Sequence, residues 1–289
     1  MTKTCDCAAA AAGDGEGLGE GLSVGGVVGV AGCTAARGVC LGCTLPAWPP
    51  HAAAASIGAA MRIAARRWKL EARPERGGRI TSLRLDGEEV LDQGIGVDQP
   101  SAKAFVEGGA WGWDEMVPNV NETETLPDHG EAWRLHWDVV RSGVTRCRGR
   151  ILPWELERSI DVAEIVRVDY VYRNLGAEPQ PAFWCAHPLF RYEAGMEVDL
   201  AEGTSTKIFL AKGSTRSKEL RWPSGKGIEM RWDPGLTPYV SIWACNGDLG
   251  GYRQIAIEPA FGGYEGPGPD TAMLEAGAAL EWWLEIRAL

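Results

Sequence analysis

From Arg67 onward, apolar and polar positions alternate with a period of two. In "WRLHWDVV" Trp133, Leu135, Trp137 and Val139 share one face, and Arg134, His136 and Asp138 share the other. "VRVDYVYRN" repeats the device with Val166, Val168, Tyr170 and Tyr172. The C-terminal "LEWWLEIRAL" sets Leu280, Trp282, Leu284 and Ile286 against Glu281, Glu285 and Arg287. Successive side chains of an extended chain leave on opposite faces, so each run predicts a half-buried strand. In "RITSLRLDGEEVL" an Asp86-Gly87 pair separates two short apolar runs, which predicts a tight hairpin. Clusters of Gly, Pro and Asp such as "RWPSGKG" and "FGGYEGPGPD" punctuate the remainder. There is no long helical period and no internal repeat. The pattern is that of an all-β, antiparallel sandwich or barrel.

The pattern stops near Met61. Before it runs a Gly/Ala-rich tract, "CAAAAAGDGEGLGEGLSVGGVVGVAGC", without aromatic residues or a period. Such a composition buries too little apolar area to offset its backbone entropy. Residues 1–60 are therefore expected to be a low-complexity, disordered tail, with Met61 an alternative first residue. Residues 61–289 form the expected globular domain. Within the tail, Cys40 and Cys43 make a lone "CLGC" without the second pair that a zinc site needs, and His51 is poorly placed to complete one. The "VAGC" box ending at Cys33 lacks the basic start and apolar run of an export signal. No metal site is expected. The scattered Cys147, Cys185 and Cys245 read as reduced core thiols, which implies a cytoplasmic location.

A composition of 45% hydrophobic and 24% charged residues suits a water-facing domain with a sizeable core. A net charge of −10 opposes binding to a phosphate backbone, so nucleic-acid partners are not expected. No apolar stretch is long enough to span a bilayer as a helix. Small neutral polar molecules fit better, bound by a monomer or a homodimer.

Four segments carry chemistry. "LPDHGEAW" (126–133) holds His129 in a loop before a strand pattern, where functional groups are disproportionately carried. "GGAWGWDEMVPNVNE" packs Trp111, Trp113, Asp114, Glu115 and Asn119 into one glycine-rich stretch. "AFWCAHPLF" and "IAIEPAFGGYEGP" each end an apolar run on a titratable residue, His187 and Glu258, followed at once by proline. Proline lacks the amide proton of a ladder, so both residues are expected at strand ends. Burying either group costs free energy unless it is paired or employed. His136, on the polar face of its run, reads as a solvent-facing or cross-strand residue.

These blocks, in this order and spacing, resemble the aldose 1-epimerase (galactose mutarotase) superfamily, in particular its small bacterial mutarotase-like branch. The similarity rests on "GGRITSLRLDGEEVL", "GWDEMVPN", "LPDHGEAW", "AHPLF", "IAIEP" and "WWLEI", from about Trp68 to the end. It implies a large antiparallel β-sandwich. It also implies a cofactor-independent activity, the exchange of α and β anomers of a sugar. Under the resemblance Glu258 is the general base on the anomeric hydroxyl. His187 is the acid for the ring oxygen, and His129 holds and polarises the sugar. Trp111, Trp113, Asp114, Glu115 and Asn119 are expected on the substrate wall. The chain departs from the family in lacking its arginine block and a clear counterpart of its substrate-binding aspartate, for which Asp199 and Asp233 are candidates. Two other readings stand beside this one. One is a hexose-6-phosphate epimerase, with Arg134, Arg158 or Arg191 meeting the phosphate. The other is a carbohydrate-binding protein without turnover.

Overall fold

The computed structural model describes residues 60–289, and all that follows concerns these. The expectations for the Gly/Ala-rich tract, the CLGC pair and the VAGC box fall outside the described residues.

β1 (Met61–Ala64), β2 (Trp68–Arg73) and β3 (Arg79–Leu85) form a meander. The Asp86-Gly87 turn that follows has φ of +52° and +88°, the left-handed pair that a two-residue hairpin requires, and it leads into the short β4 (Glu88–Glu89). A five-residue helix, α1 (Phe105–Gly109), precedes β5 (Trp113–Met116), which rejoins the same sheet. β6 (Asp138–Arg141), β7 (Val144–Arg148), β8 (Trp154–Val162) and β9 (Val166–Asn174) then build a second sheet from hairpins. After β10 (Gln180–Pro181), the chain alternates between sheets. β11 (Trp184–Arg191) and β12 (Thr204–Leu210) return to the first, and β13 (Ser217–Arg221) and β14 (Gly227–Trp232) to the second. β15 (Tyr239–Asn246) and β16 (Arg253–Phe261) complete the first sheet, β17 (Met273–Leu274) pairs with β10, and β18 (Ala279–Ala288) completes the second. The orders are β1-β2-β3-β5-β11-β16-β15-β12 and β13-β14-β18-β9-β8-β7-β6, with every strand pair antiparallel. The chain is an all-β antiparallel sandwich.

Side-chain parity divides the core in two. Trp184, Ala186, Phe190, Ile255 and Ile257 face inward and meet Leu156, Val168, Tyr170, Trp282 and Leu284 of the second sheet. Tyr170 stacks on Trp282 at 5.2 Å and Trp184 lies 4.8 Å from the same indole, contacts that add about 0.5–1.5 kcal/mol each beyond area burial. The opposite parity, Cys185, Leu189, Ala256 and Ala260, packs on the outer face under Phe105, Trp133 and Tyr252. The middle of the first sheet is thus covered on both sides. This is why "IAIEPAF" reads as an almost unbroken apolar run rather than an alternation. The three cysteines Cys147, Cys185 and Cys245 are buried and free.

The "WRLHWDVV" run differs from its strand reading. Trp133, Leu135 and Trp137 are buried, but Ala132–Arg134 is a single 3-10 turn and a strand begins only at Asp138. Val139 is exposed. The backbone bonds of this segment go to the β2–β3 turn, with Gly77 donating to the Leu135 carbonyl and Trp137 to the Pro74 carbonyl. The alternation marked an extended loop anchored on both sides, not a ladder. His136 is exposed, 3.8 Å from Asp138. Among the described residues no helix is long and apolar enough to cross a membrane.

Candidate active site

The outer face of the first sheet carries a polar row. The pairs Cys185↔Ala260 and Leu189↔Ala256 set His187 of β11 directly across from Glu258 of β16. Asp114 on β5 pairs with His187, and Ser241 on β15 pairs with Glu258, so four neighbouring strands contribute one residue each. Contrary to expectation, neither His187 nor Glu258 ends its strand, since β11 continues to Arg191 and β16 to Phe261. The two prolines fall where the β11–β16 pairing lapses between its flanking pairs, while Pro188 still pairs with β5 and Pro259 with β15. A missing amide proton costs a strand one ladder bond on one side, and here both losses fall on a single shared gap.

Glu258 is buried and asymmetrically held. Its Oε2 accepts from Ser241 Oγ at 2.6 Å and lies 2.9 Å from Lys207 Nζ on β12. Its Oε1 has no hydrogen-bond partner among the described residues and sits 3.4 Å from His187 Nε2. Burial alone would raise this carboxyl, but the charges of Lys207 and the His187 contact, with the Ser241 bond, outweigh it and hold the group below the usual glutamate range. Burial pushes the His187 imidazole down to about 3, against the opposing pull of Glu258, so its ring is neutral in the resting site. Its Nδ1 is also without a partner among the described residues.

His129 reaches this pair from the loop before the 3-10 turn. It has φ of +57° and its neighbour Gly130 φ of +66°. His is among the few residues enriched in the left-handed region. Gly130 has no alternative, because a Cβ there would stand 2.2 Å from the Val117 carbonyl oxygen. The turn is tied down by His129 N–H on the Val120 carbonyl (2.6 Å) and Glu131 N–H on the Val117 carbonyl (2.8 Å). Asp128 orients the ring, with Oδ1 2.8 Å from His129 Nδ1, while its Oδ2 accepts from the Phe105 amide at 2.7 Å. Burial would raise the Asp128 carboxyl, but the bonds from His129 and the Phe105 amide, with the attraction of Arg134, prevail and keep it low. An ionised carboxylate only accepts, so Nδ1 bears the proton. Phe105 stacks on His129 at 4.6 Å, and the two imidazoles meet edge to face at 5.4 Å. The structure thus brings His129, His187 and Glu258 together.

The five residues expected on the wall divide. Trp113 and Glu115 have the inward parity of β5 and lie between the sheets, away from the pair. Glu115 accepts from Arg158 (3.0 Å), Tyr170 (2.9 Å) and Trp184 (2.8 Å), and burial raises it to about 7. Asp114 shares the row with His187 but is fully engaged by Arg79 at 3.0 and 2.7 Å. Trp111 covers that arginine at 4.7 Å and donates to the Val97 carbonyl. Asn119 shapes the loop beneath His129, donating to the Asn121 and Pro127 carbonyls, with its buried Oδ1 unpartnered among the described residues. Which face of β5 each residue takes was not legible, because the strand is buried on both.

Three residues of the site escaped the sequence reading: Lys207, Ser241 and Glu265. Glu265, in the loop after β16, lies 3.1 Å from Lys207 Nζ and accepts from Asn121 Nδ2 at 2.7 Å. A lone serine in the apolar run "VSIW" was a usable signal of the kind that found Glu258. Lys207, on an edge strand rich in polar residues, offered none. Asp199 is exposed, and Asp233 accepts from the Gly235 and Leu236 amides of its own turn.

No family model matches the chain, and no curated protein does. Solved structures do. The chain is similar to a galactose mutarotase-like protein from Lactobacillus casei ATCC 334 at 16% identity, with a TM-score of 0.62 over 80% of this chain and 100% of that one. A galactose mutarotase related enzyme from Lactobacillus acidophilus matches at 13% identity and a TM-score of 0.56, over 80% and 97% of the two chains. The Slr1438 protein from Synechocystis sp. PCC 6803 matches at 17% identity and a TM-score of 0.63, over 76% and 91%. The fold is that of the galactose mutarotase-like sandwich.

Proposed function

We propose that the domain over residues 61–289 is a cofactor-independent aldose 1-epimerase acting on an unphosphorylated sugar. The observation that carries this reading is a buried carboxylate with one oxygen free of partners among the described residues, 3.4 Å from one imidazole, which a second imidazole meets edge to face at 5.4 Å. Anomer exchange moves protons and breaks and remakes one C–O bond, with no change of oxidation state. Oε1 of Glu258 takes the proton of the C1 hydroxyl as the bond from C1 to the ring oxygen breaks, and the ring oxygen, attached to the same carbon, takes a proton in turn. The open-chain aldehyde rotates about C1–C2, and the same steps in reverse close the ring on its other face. The family resemblance gives delivery of the second proton to His187. Burial holds His187 neutral here, so it donates only once protonated. His129, edge-on to that ring at 5.4 Å and oriented by Asp128, is the group to which the resemblance gives the holding and polarising of the sugar.

Charge favours a neutral substrate. Arg158 is buried on Glu115, Arg134 donates to the Ala102 and Lys103 carbonyls, and Arg191 lies 3.4 Å from Glu193. Each of the three candidates already has a partner, the loosest being the partly exposed Arg191. Lys207 is flanked by two carboxylates, so this cluster of charges is net acidic. The test is a panel of anomer-exchange rates for neutral and 6-phosphorylated aldohexoses. Acceleration confined to neutral sugars supports the reading, faster exchange of the phosphorylated ones reverses the substrate assignment, and binding without acceleration makes the protein a carbohydrate binder.

A further inference from the structure

We propose that Lys207 is a positioning residue of this site: with Ser241 it occupies Oε2 of Glu258, which leaves Oε1 as the oxygen that accepts the anomeric proton. The proposal rests on the epimerase reading of the site. A free carboxylate has two equivalent basic oxygens, and here they are made unequal. Oε2 takes two donors, at 2.6 and 2.9 Å, while Oε1 takes none among the described residues although the side chain is 1% exposed. An orphaned acceptor at that depth is costly to leave unmade. A substrate hydroxyl placed beside His187 Nε2 would satisfy it.

Lys207 is itself fixed from its far side. Glu265 Oε1 lies 3.1 Å from Nζ, and Asn121 holds the other oxygen of that carboxylate. The ammonium is therefore a stationary charge between two acids rather than a mobile surface lysine. Burial would lower its pKa, but the attraction of Glu258 prevails and raises it, so Lys207 stays charged. The titratable groups around Glu258 are His187 and Cys185 on β11, Lys207 on β12, Glu265 after β16 and His129 in its loop. His187 is neutral and Cys185 is buried with its thiol pushed far up. Lys207 is then the cation that keeps the buried base ionised.

Two substitutions should move the acidic limb of kcat/KM in opposite directions. Lys207→Met removes the cation and should shift the limb to higher pH, with kcat at neutral pH lowered roughly 10- to 100-fold, the worth of one charge-assisted hydrogen bond. KM should change little and Lys207→Arg should restore much of the loss. Glu265→Gln removes an anion beside the same lysine and should shift the limb to lower pH. Unmoved limbs in both variants, or a raised KM with kcat intact, would overturn the proposal, because Lys207 would then be a sugar contact or a structural prop. If Lys207→Met does not fold, the Glu265→Gln limb decides alone. If the wild type accelerates no sugar, the epimerase reading fails separately. The Glu258 carboxyl can still be titrated by 13C NMR, where a rise in Lys207→Met or a fall in Glu265→Gln upholds the charge coupling and an unchanged value in either refutes it.

Discussion

Glu115 and Glu258 are the same residue type, on the same sheet, with 0% and 1% of their surface exposed. Their surroundings are opposite. Glu115 faces the second sheet and meets Arg158, Tyr170 and Trp184, which satisfy both oxygens and bind the two layers together. Glu258 faces outward under loops, has one oxygen saturated and the other bare, and has a neutral imidazole at 3.4 Å. A buried carboxyl that is fully partnered holds a fold, and one that is half partnered is available for chemistry. Burial does not separate the two roles. The count of donors around each oxygen does.

The sharpest break of this contrast is His187→Asn. It removes the imidazole beside the bare oxygen and should lower kcat about 10²–10⁴-fold. Folding should survive and KM should move little, since the loss falls in the transition state. Kinetics of anomer exchange and a thermal melt check both halves. Glu115→Leu should do the reverse. It strands Arg158 between the sheets and should cost about 3–5 kcal/mol of stability in denaturant unfolding, the scale of a broken buried pair. Whatever protein remains folded should keep its turnover rate.

Gly130→Ala probes the loop that brings His129 to the pair. A methyl group would press on the Val117 carbonyl at 2.2 Å in a left-handed backbone, a strain of order 1–3 kcal/mol. Melting temperature should fall and sugar binding should weaken, because the carrier of His129 must shift. Acidification should act most gradually. His187 has its folded pKa lowered to about 3, so between an unfolded value of about 6.5 and there the unfolded chain binds the extra proton. The stability from His187 is therefore present above about pH 6.5 and lost progressively as pH falls. Glu258, also lowered on folding, adds loss in the same direction below its unfolded value. Glu115 and Asp92, raised on folding to about 7 and about 6, work in the opposite direction, so the check is a difference: a gap in melting temperature between wild type and His187→Asn that stays flat from pH 7 to pH 4 would contradict the His187 contribution.

The sequence disclosed the architecture well where strands are half buried. β9 and β18 alternate as read, and the Asp86-Gly87 hairpin is present. It disclosed less where the first sheet is covered on both faces. There parity is invisible in composition, so Asp114 and Glu115 could not be told apart, and the prolines beside His187 and Glu258 were taken for strand ends. His129, His187 and Glu258 stood out because each is a titratable group where the local pattern calls for something else. Lys207 and Glu265 did not, since lysine on an edge strand and glutamate in a glycine-rich loop are ordinary. Only the fold, folding β12 and the loop after β16 onto one carboxylate, makes them part of the site.

The central claim, that the bare oxygen of Glu258 turns over a bound sugar, is tested most directly by two-dimensional exchange NMR of a neutral aldohexose with the wild type and with Glu258→Gln side by side. The amide keeps the shape and the contact to Ser241 but abolishes the base. The account predicts exchange peaks between the α and β anomers with the wild type, and their loss by about 10²–10⁴-fold in the variant at equal sugar binding. Equal exchange in both proteins, or binding without exchange in either, would contradict it.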